Sequence, residues 1–508
     1  MPVTLPAIAS PRLGLRMFCI GMLGGAAVAQ HDWANTAALH KYPLFAFVDS
    51  KDDSITTEIG TPQKFSGNPL WNQDRPWEPR LDNGYPNIIH DPSDPLGEWR
   101  MWYGAALWEY ATSRDGIKWT KPDLGMFDLG TWHPDWAQYG KHNNVIMHGE
   151  GMGIYKDYHE GDPSKRFKAF GGPACFFGQG GSPSNCSSLG SFGVQGMAVS
   201  PDGLWWYEAR NVTWPYRPGD PSGPHHKYDT HQNLFWDGEK NKYIATTRDL
   251  KPFPWRAVAI AESYPNNFAF DTSGAPPAVL QGTADEQPYS QITFPYYGIY
   301  LGLASVFDAA EGVTEGRVHL RLSWSPDAEK WYWVDKGGLT GKDFIPLGGN
   351  PGGSNPFDSH IIFAAAYPIR MPADNSVRVY YMGGNGPHSG PRNSSFALAN
   401  MRPDGFASVS GSGTVCTVPV MCTGPILVIT ADVGSGSVRV GVVGGEAKAA
   451  GLSPSDAAPV TTDTTDHVVV FSSGKATLAP LMGKYIVLEL VLDRAAVFTV
   501  GFKNEQAW

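Results

Sequence analysis

Short stretches of alternating apolar and polar residues recur along this chain, each followed by a polar turn that ends in an aromatic residue. "EWRMWYGA" (98–105) precedes "SRDGIKW" (113–119), "KRFKAFGG" (165–172) precedes "SPDGLWW" (200–206), and "RVHLRLSW" (317–324) runs into "SPDAEKW" (325–331). Alternation with period two marks a strand with one buried face. Asp-Gly supplies a tight turn, because glycine accepts positive φ and the carboxylate accepts from nearby backbone N–H groups. Trp119, Trp206 and Trp331, each six residues after the serine, are predicted to pack the next strand into the core. Asp115, Asp202 and Asp327 therefore belong to the turns and are assigned structural roles.

Two looser copies complete the series. "KYIATTRD" (242–249) is followed by "AIAESYPNNFAF" (259–270), and "VRVYYMGG" (377–384) by "ALANMRPDGF" (397–406). The marks at Ser113, Ser200, Ser263, Ser325 and Arg402 lie 62 to 87 residues apart. Multi-strand repeats at that spacing predict an all-β chain with a five-bladed β-propeller over 70–415; a large β-sandwich with recurring hairpins is the alternative. After about residue 423 tryptophan and tyrosine become scarce, and "GSVRVGVV", "DHVVVF" and "KYIVLELVL" predict a small C-terminal β-sandwich over 416–508.

The first residues read as an address. Arg12 and Arg16 precede "MFCIGMLGGAAVA" (17–29), which ends in Ala27-Val28-Ala29. This is the pattern of a secretory signal peptide over 1–29, followed by an N-terminal extension over 30–69. A secreted, extracellular protein is expected, with no membrane attachment once the signal is removed. Four cysteines then remain, and an oxidising compartment favours two local disulfides, Cys175–Cys186 and Cys416–Cys422. "NCS" at 185, "NVT" at 211 and "NSS" at 393 are acceptor patterns for a glycoprotein. A net charge of −10 argues against a nucleic-acid partner. Oligomeric state is not legible.

In a propeller the first strand of each blade lines a central funnel, so polar residues just before those strands are candidate site residues. The matched positions hold Glu78, Asp82 and Asn83; Asp229, His231 and Gln232; Asp285, Glu286 and Tyr289; and Asp358 and His360, with Glu150 offered in the second repeat. Converging carboxylates push one pKa up and keep a neighbour ionised, as acid/base work on an acetal requires. Asp229, Glu78 and Glu286 are the candidate catalytic acids. Asp285, Arg248, His231, Gln232, Tyr289, Asp358, His360 and Trp77 form the candidate binding shell. Trp71, Trp77, Tyr289 and Tyr296 are candidate stacking platforms. His231, His360 and His388 lack metal-ligand spacing, so neither a metal nor another cofactor is expected.

These stretches, with "PWEP", "HDPSDPLGEWRMWYGA", "GMAVSPDGLWWYE", "YDTHQNLFWDGEKNKYIATTRD" and "RPDGFASV", resemble the five-bladed propeller glycoside hydrolases, the broad set of families 32, 43 and 68. The resemblance covers roughly 70–505. It implies a glycosidase acting on a poly- or oligosaccharide through paired carboxylates. The family 32 nucleophile motif Trp-x-Asn-Asp-Pro-Asn-Gly is absent, "RDL" (248–250) stands for its "RDP", and its Glu-Cys motif is missing. The sugar and the linkage therefore stay unassigned. A glycan-binding propeller without catalysis, and a phosphorylase or lyase on the same fold, are the other readings.

Overall fold

The alternating stretches become strands nearly everywhere that the sequence shows them. The computed structural model describes residues 33–504, apart from 79–80, 105–106, 150, 173–194, 213, 215–225, 228–229, 250–254, 275, 313–314, 350–355, 447–449 and 473–476. The regular elements among the described residues are strands and short 3-10 helices, so the chain is almost wholly β. No helix among them is long and apolar enough to cross a membrane.

Four sheets follow one another along residues 87–401. The first joins Asn87–His90, Trp99–Tyr103, Leu107–Ser113 and Val145–His148 in antiparallel order. The second joins Gly153–Lys156, Phe167–Gly171, Gln195–Ser200 and Tyr207–Val212. In the third, Asn233–Asp237, Lys242–Asp249, Ala257–Glu262 and Ala278–Gln281 pair in sequence order. The fourth has ten strands in two meanders. Glu286–Tyr296, Ile299–Asp308 and Val318–Ser325 form one, and Ile361–Ala364, Val377–Gly384 and Ser394–Met401 the other. A single residue pair, Val318 with Ile361, joins them.

The first strands of these meanders are tied in a ring. Asn87 donates to Met152 O and accepts from Ile154 N–H. Gln232 N–H donates to Gly151 O at 2.7 Å, and Asn233 accepts from Thr293 N–H at 2.8 Å. Ser305 Oγ donates to Ile362 O, and Ile88 N–H to Ala366 O. Chain from the N-terminal side closes the ring, since Gln63–Lys64 and Trp71–Asn72 pair with Ser394–Met401.

The repeated turn is built the same way three times. Ser113, Ser200 and Ser325 each accept from the N–H of the aspartate two residues on. Each aspartate then accepts from two further backbone N–H groups. Trp206 and Trp331 are buried, whereas Trp119 is half-buried. The turn is also a docking point for the preceding sheet. Arg100 and Trp102 donate to the carbonyls of Asp202 and Gly203. Arg378 and Tyr380 donate likewise to Asp115 and Gly116.

A nine-stranded sheet combines Leu39–Pro43, Val48–Lys51 and Ile55–Ile59 with strands from Ala407–Thr417 onward, around the 19-residue strand Tyr485–Lys503. The N-terminal strands thus belong to the C-terminal sheet. A buried ion pair fastens that sheet to the fifth turn: Lys41 Nζ lies 2.6 Å from Asp404, which also accepts from Thr499. Burial opposes ionisation of Asp404, but Lys41 outweighs it and holds the carboxyl below the usual range.

Cys416 and Cys422 are free thiols, which corrects the expected bridge. Cys416 stands opposite Glu489, while Cys422 N–H bonds Lys484 O, five residues away along the same chain segment. Five residues of strand span about 16 Å, and the odd number turns the two to opposite faces. The Cys175–Cys186 pair lies outside the described residues.

Gly203 and Ala328 occupy matched turn positions at φ +75° and +62°. A Cβ on Gly203 would come within 2.7 Å of the Trp102 ring. Gly203→Ala is expected to lower stability by about 2–4 kcal/mol in urea unfolding. Ala328→Gly, where alanine is already accommodated, is expected to stay within about 1 kcal/mol. Equal losses at both positions would show that the ring contact is immaterial.

Candidate functional site

The starts of the first strands bring together aromatic rings that are far apart in sequence. Tyr85, two residues before Asn87–His90, lies 5.7 Å from the His231 ring and 5.7 Å from Phe363. Phe363 lies 5.4 Å from Tyr289. His231 precedes the third first strand, Tyr289 stands in the fourth, and Phe363 in the fifth. Thr230 donates to Tyr289 O at 2.8 Å, and Gln232 accepts from Gln195 at 3.0 Å. Rings from four first strands can meet only where those strands converge.

Cations surround the rings. Arg248 ends Lys242–Asp249, and Arg256 immediately precedes Ala257–Glu262. Antiparallel pairing of those strands brings the two arginines side by side. Each guanidinium lies 4.9 Å from the Tyr289 ring. Arg256 also lies 5.1 Å from Phe307, and His388 stands 5.2 Å from Tyr289. On the other side Asn83 donates to Tyr85 Oη at 2.7 Å and accepts from Arg392, which also bonds Asp82. Burial, then the charge of Arg248, lowers the pKa of Arg256. Burial pushes His231 down to about 3, so its imidazole is neutral near pH 7. The backbone of Ala364, in hydrogen-bond reach of the His231 ring, opposes that shift without overcoming it.

The candidate acids do not gather at this point. Glu78 is buried beside the second and third strands of the first sheet. It accepts from Lys121 at 2.6 Å, Tyr103 at 3.0 Å and the N–H of Asp74 at 2.9 Å. Its neighbour Glu109 is fully buried; burial first, then the Glu78 charge, raises the Glu109 pKa well above the usual range. The Glu78 charge disfavours ionisation of Glu109, and Lys121 beside the pair opposes that effect. The sequence offset failed here because the chain turns through positive φ at Asp82, Gly84 and Tyr85 before Asn87–His90 begins.

Glu286 faces away from the funnel rings. Gln287 and Tyr289 reach Arg256, so the residue before them points to the other side of the strand. There burial, then Asp308, pushes Glu286 up to about 7, with His319 and Arg321 opposing. Asp358 is buried in an ion pair with Lys64 at 2.6 Å and accepts from Tyr381, fastening the closing strand. Asp285 is exposed. His360 is half-buried against Ser359. Trp77 donates to Asn144 and packs on Tyr139; Trp71 stacks on Phe396 under Lys121, and Tyr296 packs on Trp33 and Phe406. These three rings are packing residues. Asp229 and Glu150 lie outside the described residues. The convergence of the first strands thus brings together Arg248, His231, Gln232 and Tyr289 of the candidate shell. Among the described residues no three His, Cys, Asp or Glu side chains form a group able to hold a metal.

Sequence reasoning missed Tyr85, Arg256, Phe363, Arg392 and Glu109. One signal pointed to Arg256: a lone charge opening a strand of small apolar residues, "RAVAIAE" (256–262). The others required strand register.

Glu78→Gln is expected to destabilise the fold by about 3 kcal/mol, because Lys121 loses its buried counter-charge. Glu109→Gln, which removes a carboxyl that burial already holds against ionisation, is expected to cost less than about 1 kcal/mol. Thermal unfolding of both variants checks the order. Separately, a difference infrared titration of wild type against Glu286→Gln should place the Glu286 midpoint near 7. Asp308→Asn should lower that midpoint, though not to the ordinary carboxylate value, because burial is the larger cause.

No family model matches the chain, and no curated protein matches it. Among solved structures it is similar to an N-acetylgalactosamine deacetylase from F. plautii in complex with blood group B trisaccharide, at 12% identity over 72% of this chain and 95% of that chain, with a TM-score of 0.42. It is similar to the catalytic domain of a Coprinopsis cinerea GH62 alpha-L-arabinofuranosidase, at 13% identity over 67% of this chain and 97% of that chain, with a TM-score of 0.40. It is also similar to an endo-1,5-alpha-L-arabinanase from Thermotoga petrophila, at 12% identity over 84% and 100% of the two chains, with a TM-score of 0.37. Glycoside hydrolases are thus among the structures that this chain matches, but at such identities and TM-scores the likeness carries no argument about its chemistry.

Proposed function

We propose that this protein is a secreted glycan-active enzyme, a glycoside hydrolase working in the funnel of a five-bladed β-propeller. In this reading the five meanders between residues 87 and 401 are blades, the fourth and fifth joined through Val318 and Ile361, and the nine-stranded sheet is a β-sandwich packed beside them. The observation that carries the reading is the meeting of Tyr85, Tyr289 and Phe363 with His231 and two arginines where the first strands begin. Aromatic faces stack on the apolar faces of sugar rings, while arginine and asparagine donors fix hydroxyl or acidic groups. Asp229, two residues before His231, is the acid proposed to act on the glycosidic bond, with its partner carboxylate unassigned.

One observation favours a second reading. The described funnel residues are rich in tyrosine, histidine and arginine, and Asp82 is tied to Arg392. A lyase would use that set, with tyrosine or histidine moving the proton next to a carboxylate that arginine neutralises.

A panel of neutral and acidic polysaccharides separates these readings. A hydrolase is expected to release reducing ends, with Asp229→Asn lowering the rate by about 10²–10⁴-fold. A lyase would give products with unsaturated-uronate absorbance and lose it in Tyr289→Phe. Binding of glycans with no product from any of them would replace both readings with a binding module.

A further inference from the structure

We propose that Arg256 is the specificity-determining residue of the funnel, and that it binds an oxyanion carried by the glycan, foremost a uronate carboxylate. This rests on the glycan reading above. Two aromatic faces fix the guanidinium plane, Tyr289 at 4.9 Å and Phe307 at 5.1 Å. One corner is anchored, since Nη1 donates to Gln287 Oε1 at 2.7 Å. The opposite edge is formed by Nε and Nη2. Nε is buried and has no hydrogen-bond partner among the described residues. The N–H groups of that edge run parallel, which is the geometry that meets both oxygens of a planar carboxylate.

The charge balance points the same way. The group anchoring Arg256 is a neutral amide, and among the described residues no carboxylate forms an ion pair with it. The charge that acts on it most strongly is that of Arg248, on the same tyrosine ring. Two cations sharing one ring repel, and an anion between or beside them relieves both the repulsion and the unmatched donor. Arg256 is half-buried, whereas Arg248 is fully buried. Tyr289 continues to Phe363 and Tyr85, so an oxyanion on Arg256 places its sugar ring along those aromatic faces.

Isothermal titration tests this with defined probes: oligogalacturonates and oligoglucuronates, their methyl esters, a sulfated galactan oligosaccharide, a neutral galactan oligosaccharide and inorganic phosphate. Wild type is expected to bind a uronate oligomer at least about tenfold more tightly than its methyl ester, a difference of one charge-assisted contact. Arg256→Lys keeps the charge but not the edge, and should lose that preference. Gln287→Glu supplies an internal carboxylate, and should also lose it while melting near the wild-type temperature. A tenfold preference for the sulfated oligomer, lost in the same variants, supports the oxyanion site and assigns it to a sulfate ester. Equal binding of acid, ester and neutral oligomers overturns the inference and leaves the glycan reading standing. Phosphate binding that depends on Arg256, without any preference for acidic glycans, overturns it in favour of a phosphate co-substrate. Binding of none of the oligosaccharides overturns both readings.

Discussion

The pairing of Gln63–Lys64 and Trp71–Asn72 with Ser394–Met401 is the constraint on which the rest depends. It joins segments more than 320 residues apart and gives the last meander its outer edge. Lys64 carries the fastening further, reaching the buried carboxylate of Asp358 at 2.6 Å. Trp71 stacks between Phe396 and Tyr103 and so carries the contact from the last meander to the first sheet. Once the ring is closed, each first strand has a neighbour on both sides, and the rings at their starts have nowhere to spread. Such a long-range contact costs loop-closure entropy before it gains anything.

Packing between sheets explains why the serine–aspartate turn recurs. Its side chains satisfy the turn's own N–H groups, which leaves its carbonyls pointing outward. Those carbonyls are then claimed by an arginine and an aromatic residue of the preceding sheet, Arg100 with Trp102 and Arg378 with Tyr380. The fifth turn departs from this scheme. Arg402 replaces the serine, and Asp404 turns instead toward Lys41, linking the ring to the nine-stranded sheet.

The cluster of rings and arginines owes its character to a register effect. Arg248 and Arg256 lie eight residues apart in sequence, yet the pairing of Arg248 with Val258 sets them side by side. Tyr289 lies between them because Gln287 and Tyr289 share one face of their strand. The same alternation removes Glu286 to the opposite face, among Asp308, His319 and Arg321. One residue of register separates an acid in the site from an acid outside it.

The sequence by itself determined the β class, the repeated turns and the change of composition at the C-terminal sheet. These are local properties: alternation, Asp-Gly chemistry and aromatic content are read within a dozen residues. It also marked His231, Gln232 and Tyr289, which stand in or just before first strands, and Arg248, which stands near the end of the strand after Asn233–Asp237. Tertiary structure alone decided the fates of the rest. Glu78 was carried away by a reversing loop, and Asp358 was taken up by a lysine almost 300 residues distant. Cys416 and Cys422, close in sequence, were held apart by a straight strand between their partners. In each case the outcome turns on which face of which strand a side chain meets, and strand pairing between distant segments is not written in any one of them.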